Sequence, residues 1–258
     1  MDENQIDHLR KIYNKEHLEE KQIKKGSAKK VWGEIVRRLH HKCKEKASQC
    51  IVNSLLKHPK APKEWESNPK EWLSSIEIDQ LETNLMDVFP NYAYLGTIPI
   101  DFDKKSSLGA CLVDALCSIS IVNLYNKGKT QIGIVFNTDV STGPGQHWIA
   151  LFADIRPTLE YPRITYFDSY ANKPEPEIQR LMQRWKSEWD ATNIHKRKTK
   201  LTYNKTRHQY EDSECGMYSL LFHIYSLAGA DMSERIPDDV VRRVMRRLIF
   251  DKDINNGR

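Results

Sequence analysis

No apolar run in this 258-residue chain is long and clean enough to cross a bilayer. The longest, Leu108 to Tyr125, is interrupted by Asp114, two serines and Asn123, so it reads as a buried helix. No secretory apolar segment follows the N-terminus, which is charged from Asp2 onward, and no membrane partner is expected. Cysteine is scarce: five residues, an odd count without regular spacing, which fits an intracellular protein with reduced thiols rather than a disulfide framework. His40, His41, Cys43 and Cys50 lie close together but lack the tight, repeated spacing of zinc ligands. The Lys-rich interval between them reads as a solvated helix face, and no metal is expected. Internal repeats and low-complexity tracts are missing too.

What remains is the composition of a folded domain. Hydrophobic residues make up 39% of the chain and charged residues 29%, with six Trp and eleven Tyr to fill a core. The net charge of +5 is unevenly placed. Residues 1–70 hold seventeen Lys and Arg against ten Asp and Glu, so the remainder is close to neutral.

Residues 3–57 carry apolar positions at helical spacing, among them Leu9, Ile12, Val31, Ile35 and Leu39, with a break at Gly26-Ser27. Pro59, Pro62 and Pro69 mark a linker. The spacing therefore predicts a basic helical arm and linker over 1–70 and a second unit over 71–258. Ser74 and Glu77 form a capping box for a helix at the start of that unit. Strands are predicted over Tyr92–Ile100, Gln131–Phe136, His147–Ala153, Arg163–Phe167 and Leu201–Tyr203. Helices are predicted over Leu108–Tyr125, Glu175–Trp189, Cys215–Leu227 and Pro237–Phe250. Helices grouped around a cluster of strands make the fold class α+β.

Four residues in this frame have complementary chemistry. Cys215 opens an apolar helix, where unpaired N–H groups and the helix dipole favour thiolate. Gly216 lets the backbone approach a substrate carbonyl, and the Cys215 N–H can then bind an oxyanion. Gln209, six residues earlier, would supply a second donor. His147 follows a Gly-Pro-Gly turn and would act as base, then as acid to the leaving amine. Asp168 ends the strand ITYFD and would orient the imidazole. Each has a bland alternative: a buried cap cysteine, a structural strand histidine, a turn aspartate. Cys111 is a competing nucleophile at the head of another helix-like run. Lys105 stands six residues before it, where a glutamine is wanted, and its neighbours fit core packing. A binding module without catalysis is the other reading, but such a module should lack one of the four roles, and none is missing.

The segments GQHWIALFADI, ITYFDSY and RHQYEDSECGMYSLLFHIY resemble the motifs of Ulp-type (SUMO-protease-like) and adenain-type cysteine proteases. They are most similar to the polyprotein-processing members from large double-stranded DNA viruses such as African swine fever virus. The resemblance implies a papain-like, Ulp-type core with a central mixed sheet flanked by helices, plus an N-terminal helical arm. It assigns His147, Asp168, Gln209 and Cys215 the roles given above, and requires no cofactor. It makes Trp148 one wall of a narrow tunnel and Trp72, in WLSS, the other. Such a tunnel admits only residues without side chains, so the implied substrate is a polypeptide with Gly-Gly-X cleavage sites. Viral polyproteins processed in the host cytoplasm and virion are the first expectation; conjugates of ubiquitin-like modifiers are the alternative. The arm over 1–70 would contact a capsid scaffold or nucleic acid. Two departures stand out: Glu214 replaces the family's usual Asp, and the stretch from Asp168 to Gln209 is longer than in the compact Ulp pattern.

Overall fold

The computed structural model describes residues 1–43 and 48–250. Residues 44–47 of the expected arm and 251–258 of the expected second unit therefore lie outside the described residues.

At the centre is a five-stranded mixed sheet with strand order β1-β2-β3-β4-β5: β1 Tyr92–Pro99, β2 Gln131–Asn137, β3 Trp148–Asp154, β4 Arg163–Phe167 and β5 Lys200–Tyr203. The outer pairs β1–β2 and β4–β5 are parallel, and the inner pairs are antiparallel. Period-two alternation on these strands splits the core into two layers. Ile132, Ile134, Phe136, Ile149, Leu151 and Tyr166 face α7 (Pro176–Ala191), which contributes Leu181, Trp185 and Trp189. Val135, Ala150, Phe152 and Phe167 face α8 (Cys215–Ala228) on the other side.

The basic arm packs into that second layer. Helices α1 (Glu3–Glu16), α2 (Ala28–Arg38) and α3 (Ser48–Ser54) bury Leu9, Tyr13, Ile35 and Ile51 in the same cluster as α8 and α4 (Ser75–Val88). Gln5 fixes the register, donating to Gln131 Oε1 at 2.7 Å and to Asn91 Oδ1 at 3.0 Å. The segment after α3 is anchored by Trp65, which is buried in a short 3-10 turn (Lys63–Glu66). The capping box of α4 forms as the spacing predicts: Glu77 Oε2 accepts from the Ser74 N–H at 2.8 Å. No helix among the described residues is long and apolar enough to cross a membrane.

Three expectations need correction. Leu108–Tyr125 is not one helix. Gly109 takes a positive φ, Ser106 N–H closes a turn onto Ala110 at 2.8 Å, and Leu108 is exposed. Only α5 (Asp114–Ser118) and α6 (Ile121–Asn126) are helical. The thiols are not all reduced: Cys43 bonds Cys50 and Cys111 bonds Cys117, leaving Cys215 as the free cysteine. The Cys111 pairing removes the competing nucleophile, and the Cys43 pairing takes both cysteines from the His40–Cys50 cluster. The last helix is built in three parts, α9 (Asp238–Val240), a π-helical turn (Val241–Met245) and α10 (Arg246–Ile249).

Candidate active site

The central strands and α8 converge on one spot. His147 immediately precedes β3, Asp168 immediately follows β4, and Cys215 is the first residue of α8. His147 Nε2 lies 2.7 Å from Asp168 Oδ1, leaving Nδ1 for the thiol. The Cys215 sulfur is near enough to act on the imidazole. Burial is the largest single influence on His147 and opposes its charge, but Asp168 and then Cys215 outweigh it and push its pKa up to about 9. The structure thus favours the charged form of His147.

Asp168 is nearly inaccessible and is held by its own turn. It accepts from the backbone N–H of Tyr170 at 2.9 Å and of Asn172 at 3.3 Å. Burial alone would raise its pKa; His147 and these donors reverse that and hold it below the usual carboxylate value. Asn204, just past β5, clamps the aspartate backbone, with Oδ1 accepting from Asp168 N–H and Nδ2 donating to Asp168 C=O. Ala171 closes the turn at φ 62°, a left-handed conformation that a non-glycine residue adopts at some cost.

Gln209 is fully buried and its amide has one orientation. Ser169 Oγ–H donates to Oε1 at 2.6 Å, and Nε2 donates to Glu211 C=O at 2.7 Å. The second N–H of this amide is not used by these contacts and is the candidate oxyanion donor. Ser169, Tyr170 and Asn204 were not singled out by sequence reasoning. The Ser directly after Asp168 was the only local signal; the others depend on chain segments meeting.

Trp148 and Trp72 line one groove of about 620 Å³, together with Leu73, Asn137 and Gly143 to Gly145. Trp148 is buried and donates its indole N–H to Leu73 C=O at 2.9 Å, whereas Trp72 is 37% exposed. Gly216 sits under this pair. A Cβ there would stand 3.1 Å from Leu73 Cβ and 3.2 Å from Trp148 Cδ1, so a side chain would fit only if Leu73 or Trp148 gave way by a few tenths of an ångström. A larger cavity of about 890 Å³, between α3, α8 and the C-terminal segment, contains none of these side chains.

Glu214, the departure next to the nucleophile, is fully buried. It accepts from Arg242 Nε at 3.0 Å and from Arg246 Nε and Nη2, both at 2.9 Å. Arg246 also donates to Pro69 C=O at 2.8 Å and stacks on Trp65 at 4.1 Å. The longer carboxylate thereby ties α8, the last helix and the segment before α4 together.

Several known proteins are similar to this chain. A thiol protease of Acanthamoeba polyphaga mimivirus is 34% identical over 167 residues, covering 63% of this chain and 50% of that protein. A cysteine protease of African swine fever virus is 42% identical over 104 residues, 38% of this chain and 37% of its own length. The chain thus spans half or less of the curated relatives it matches. The crystal structure of an African swine fever virus protease has the same fold, with a TM-score of 0.63 at 21% identity over 85% of this chain and 90% of that one. The profile of the Ulp1 protease family, C-terminal catalytic domain, matches residues 127–256, a span that holds His147, Asp168, Gln209 and Cys215. With just over half its length inside that profile, this chain belongs to the Ulp1 protease family of cysteine proteases.

Proposed function

We propose that this chain is a cysteine endopeptidase that cuts polypeptides after Gly-Gly. The observation that carries the reading is the imidazole of His147, held and charged chiefly by Asp168, next to Cys215 and beside a groove lined by Trp72 and Trp148. The Cys215 thiolate attacks the scissile carbonyl, and the free N–H of Gln209 and the N–H of Cys215 take up the oxyanion. The imidazolium of His147 gives its proton to the leaving amine as the C–N bond breaks. The neutral imidazole then takes a proton from water, whose oxygen releases the acyl group and regenerates the thiolate. Asp168 stays ionised throughout.

Because the relatives this chain matches are viral proteases, we take a viral structural polyprotein, cut in the host cytoplasm and nascent virion, as the first substrate to test. Several African swine fever virus relatives are named as SUMO-1 cysteine proteases, which supports removal of ubiquitin-like modifiers as the second reading. We assign the cationic groove of the arm, with Lys21, Lys24, Lys25, Lys30, Arg37 and Arg38, to contact with a capsid scaffold or nucleic acid. Failure to retain DNA on a filter in a salt-dependent way would remove the second of these partners.

The test is a short peptide ending in Gly-Gly and an electrophilic warhead, followed by mass spectrometry of the adduct. Labelling at Cys215, lost in Cys215→Ala, is expected. Labelling elsewhere, or turnover of a Gly-Gly peptide by that variant, would overturn the assignment.

A further inference from the structure

The Trp72–Trp148 groove accounts for the residues before the scissile bond, and nothing so far accounts for those after it. His147 must reach the leaving nitrogen to protonate it, so the next residue lies against whatever covers this imidazole. Tyr170 covers it. The two rings are 4.9 Å apart at an interplanar angle of 31°, and Tyr170 Oη is tied to Glu211 C=O at 3.0 Å. Burial, and after it the electrostatic influence of Cys215, raise the pKa of this phenol.

From Tyr170 a cationic and aromatic stack runs outward. The Arg207 guanidinium lies 5.3 Å from the Tyr170 ring and 4.5 Å from the Tyr210 ring. Arg235 lies 4.6 Å from the far ring. Tyr210 is 61% exposed, although it follows the fully buried Gln209 directly. The two arginines differ in their charge partners. Arg235 is paired with the buried Asp238 at 3.3 Å, whereas Arg207 forms no ion pair among the described residues. Its Nε donates to Gln209 C=O at 2.9 Å, which fixes the guanidinium plane and leaves its terminal N–H groups free. Nearby Glu211 is matched by Lys70 and Arg242; the exposed Asp212 is the remaining opposing charge.

We infer that Tyr170, Arg207 and Tyr210 form the subsite for the first residues after the scissile bond, with Arg207 selecting an acidic side chain there. A fixed, planar guanidinium with free N–H groups suits a carboxylate, and the two phenol rings carry the peptide past it. The inference rests on the Gly-Gly protease reading and names the leaving side of its substrate.

Quenched-fluorescence peptides identical except for Glu, Ala or Lys after Gly-Gly test it on the full chain. The preference is read as a ratio of kcat/KM values within one preparation, so the fraction folded cancels. Wild type should favour Glu over Lys about tenfold, as one partly exposed charge contact allows, with the ratio shrinking in high salt. Arg207→Gln should bring the ratio to within about twofold, and Arg207→Lys should keep part of it. A ratio near one in wild type, or an unchanged ratio in R207Q, would overturn the subsite. Release of coumarin from a Gly-Gly-coumarin peptide, which has no residue on the leaving side, separates the two failures. Coumarin release without a Glu preference sinks the subsite alone; no release and no Cys215 adduct sink the protease reading and the subsite with it.

Discussion

Glu214→Ala should destabilise the protein by about 3 kcal/mol, near the lower end of the range for breaking a buried ion pair. The magnitude follows from its two partners. Arg242 is partly exposed and keeps Glu211 at 2.6 Å, so it can turn outward at little cost. Arg246 is 4% exposed and cannot reach water without moving the last helix. Burial already pulls its pKa down, with Glu214 as the main opposing influence. Loss of the carboxylate leaves that guanidinium with the carbonyls of Pro69, Glu71 and Ser213 and the face of Trp65, which soften the loss without neutralising the charge. For a chain of this size, Tm should fall by about 6–12 °C. Urea melts give the free energy directly. Glu214→Gln, which keeps an acceptor and the volume, should lose about half as much. In a double-mutant cycle with Arg246→Met, the coupling should exceed about 1.5 kcal/mol. A loss under about 1 kcal/mol for E214A, or additivity in the cycle, would refute the claim that Arg246 depends on this carboxylate.

Two further outcomes follow from the buried polar groups. His147 titrates at about 9 when folded, above its free value, so its contribution to stability is complete below about 6.5 and is lost as pH rises through about 9. Asp168 has the opposite sign: its contribution is present above its unfolded value and disappears as pH falls through its lowered folded value. Asp168→Asn should therefore shift the His147 ring resonances to a lower titration midpoint, with the alkaline limb of kcat/KM moving alongside; an unmoved midpoint would show that Asp168 does not charge the imidazole. Gly133→Ala should lose about 3 kcal/mol or more in a chemical melt. The new Cβ would collide with Tyr92 Oη and stand 2.9 Å from His223 Cε1, and both rings are locked on the buried Glu82. Wild-type stability in G133A would mean that this cluster can rearrange.

Local signals decided a good part of this structure. The Ser74–Glu77 capping box sets the start of α4, short apolar runs mark β2 and β3, and a period-two apolar pattern marks β4. The placement of Cys215 at the head of α8 was equally legible, because a helix start is written within a few residues. The four expected site residues, 68 positions apart in the chain, come together because β3, β4 and α8 all present their ends to the same edge of the core.

Where distant segments compete, local patterns were not enough. Leu108–Tyr125 has a helical composition, yet the Gly109 turn and the Cys111–Cys117 bond hold its first half in a loop. Cysteine spacing cannot show which sulfur atoms meet, since that depends on the path of the backbone. The same holds for Ser169 aiming Gln209, Asn204 clamping Asp168 and Arg207 reaching from Tyr170 to Tyr210. By itself, the sequence determined the reactive groups and the elements that carry them, because those are properties of side-chain chemistry and short-range periodicity. Only the tertiary structure decided their orientation, their charge partners and the joining of the basic arm to the core, because each depends on contacts between residues far apart in the chain.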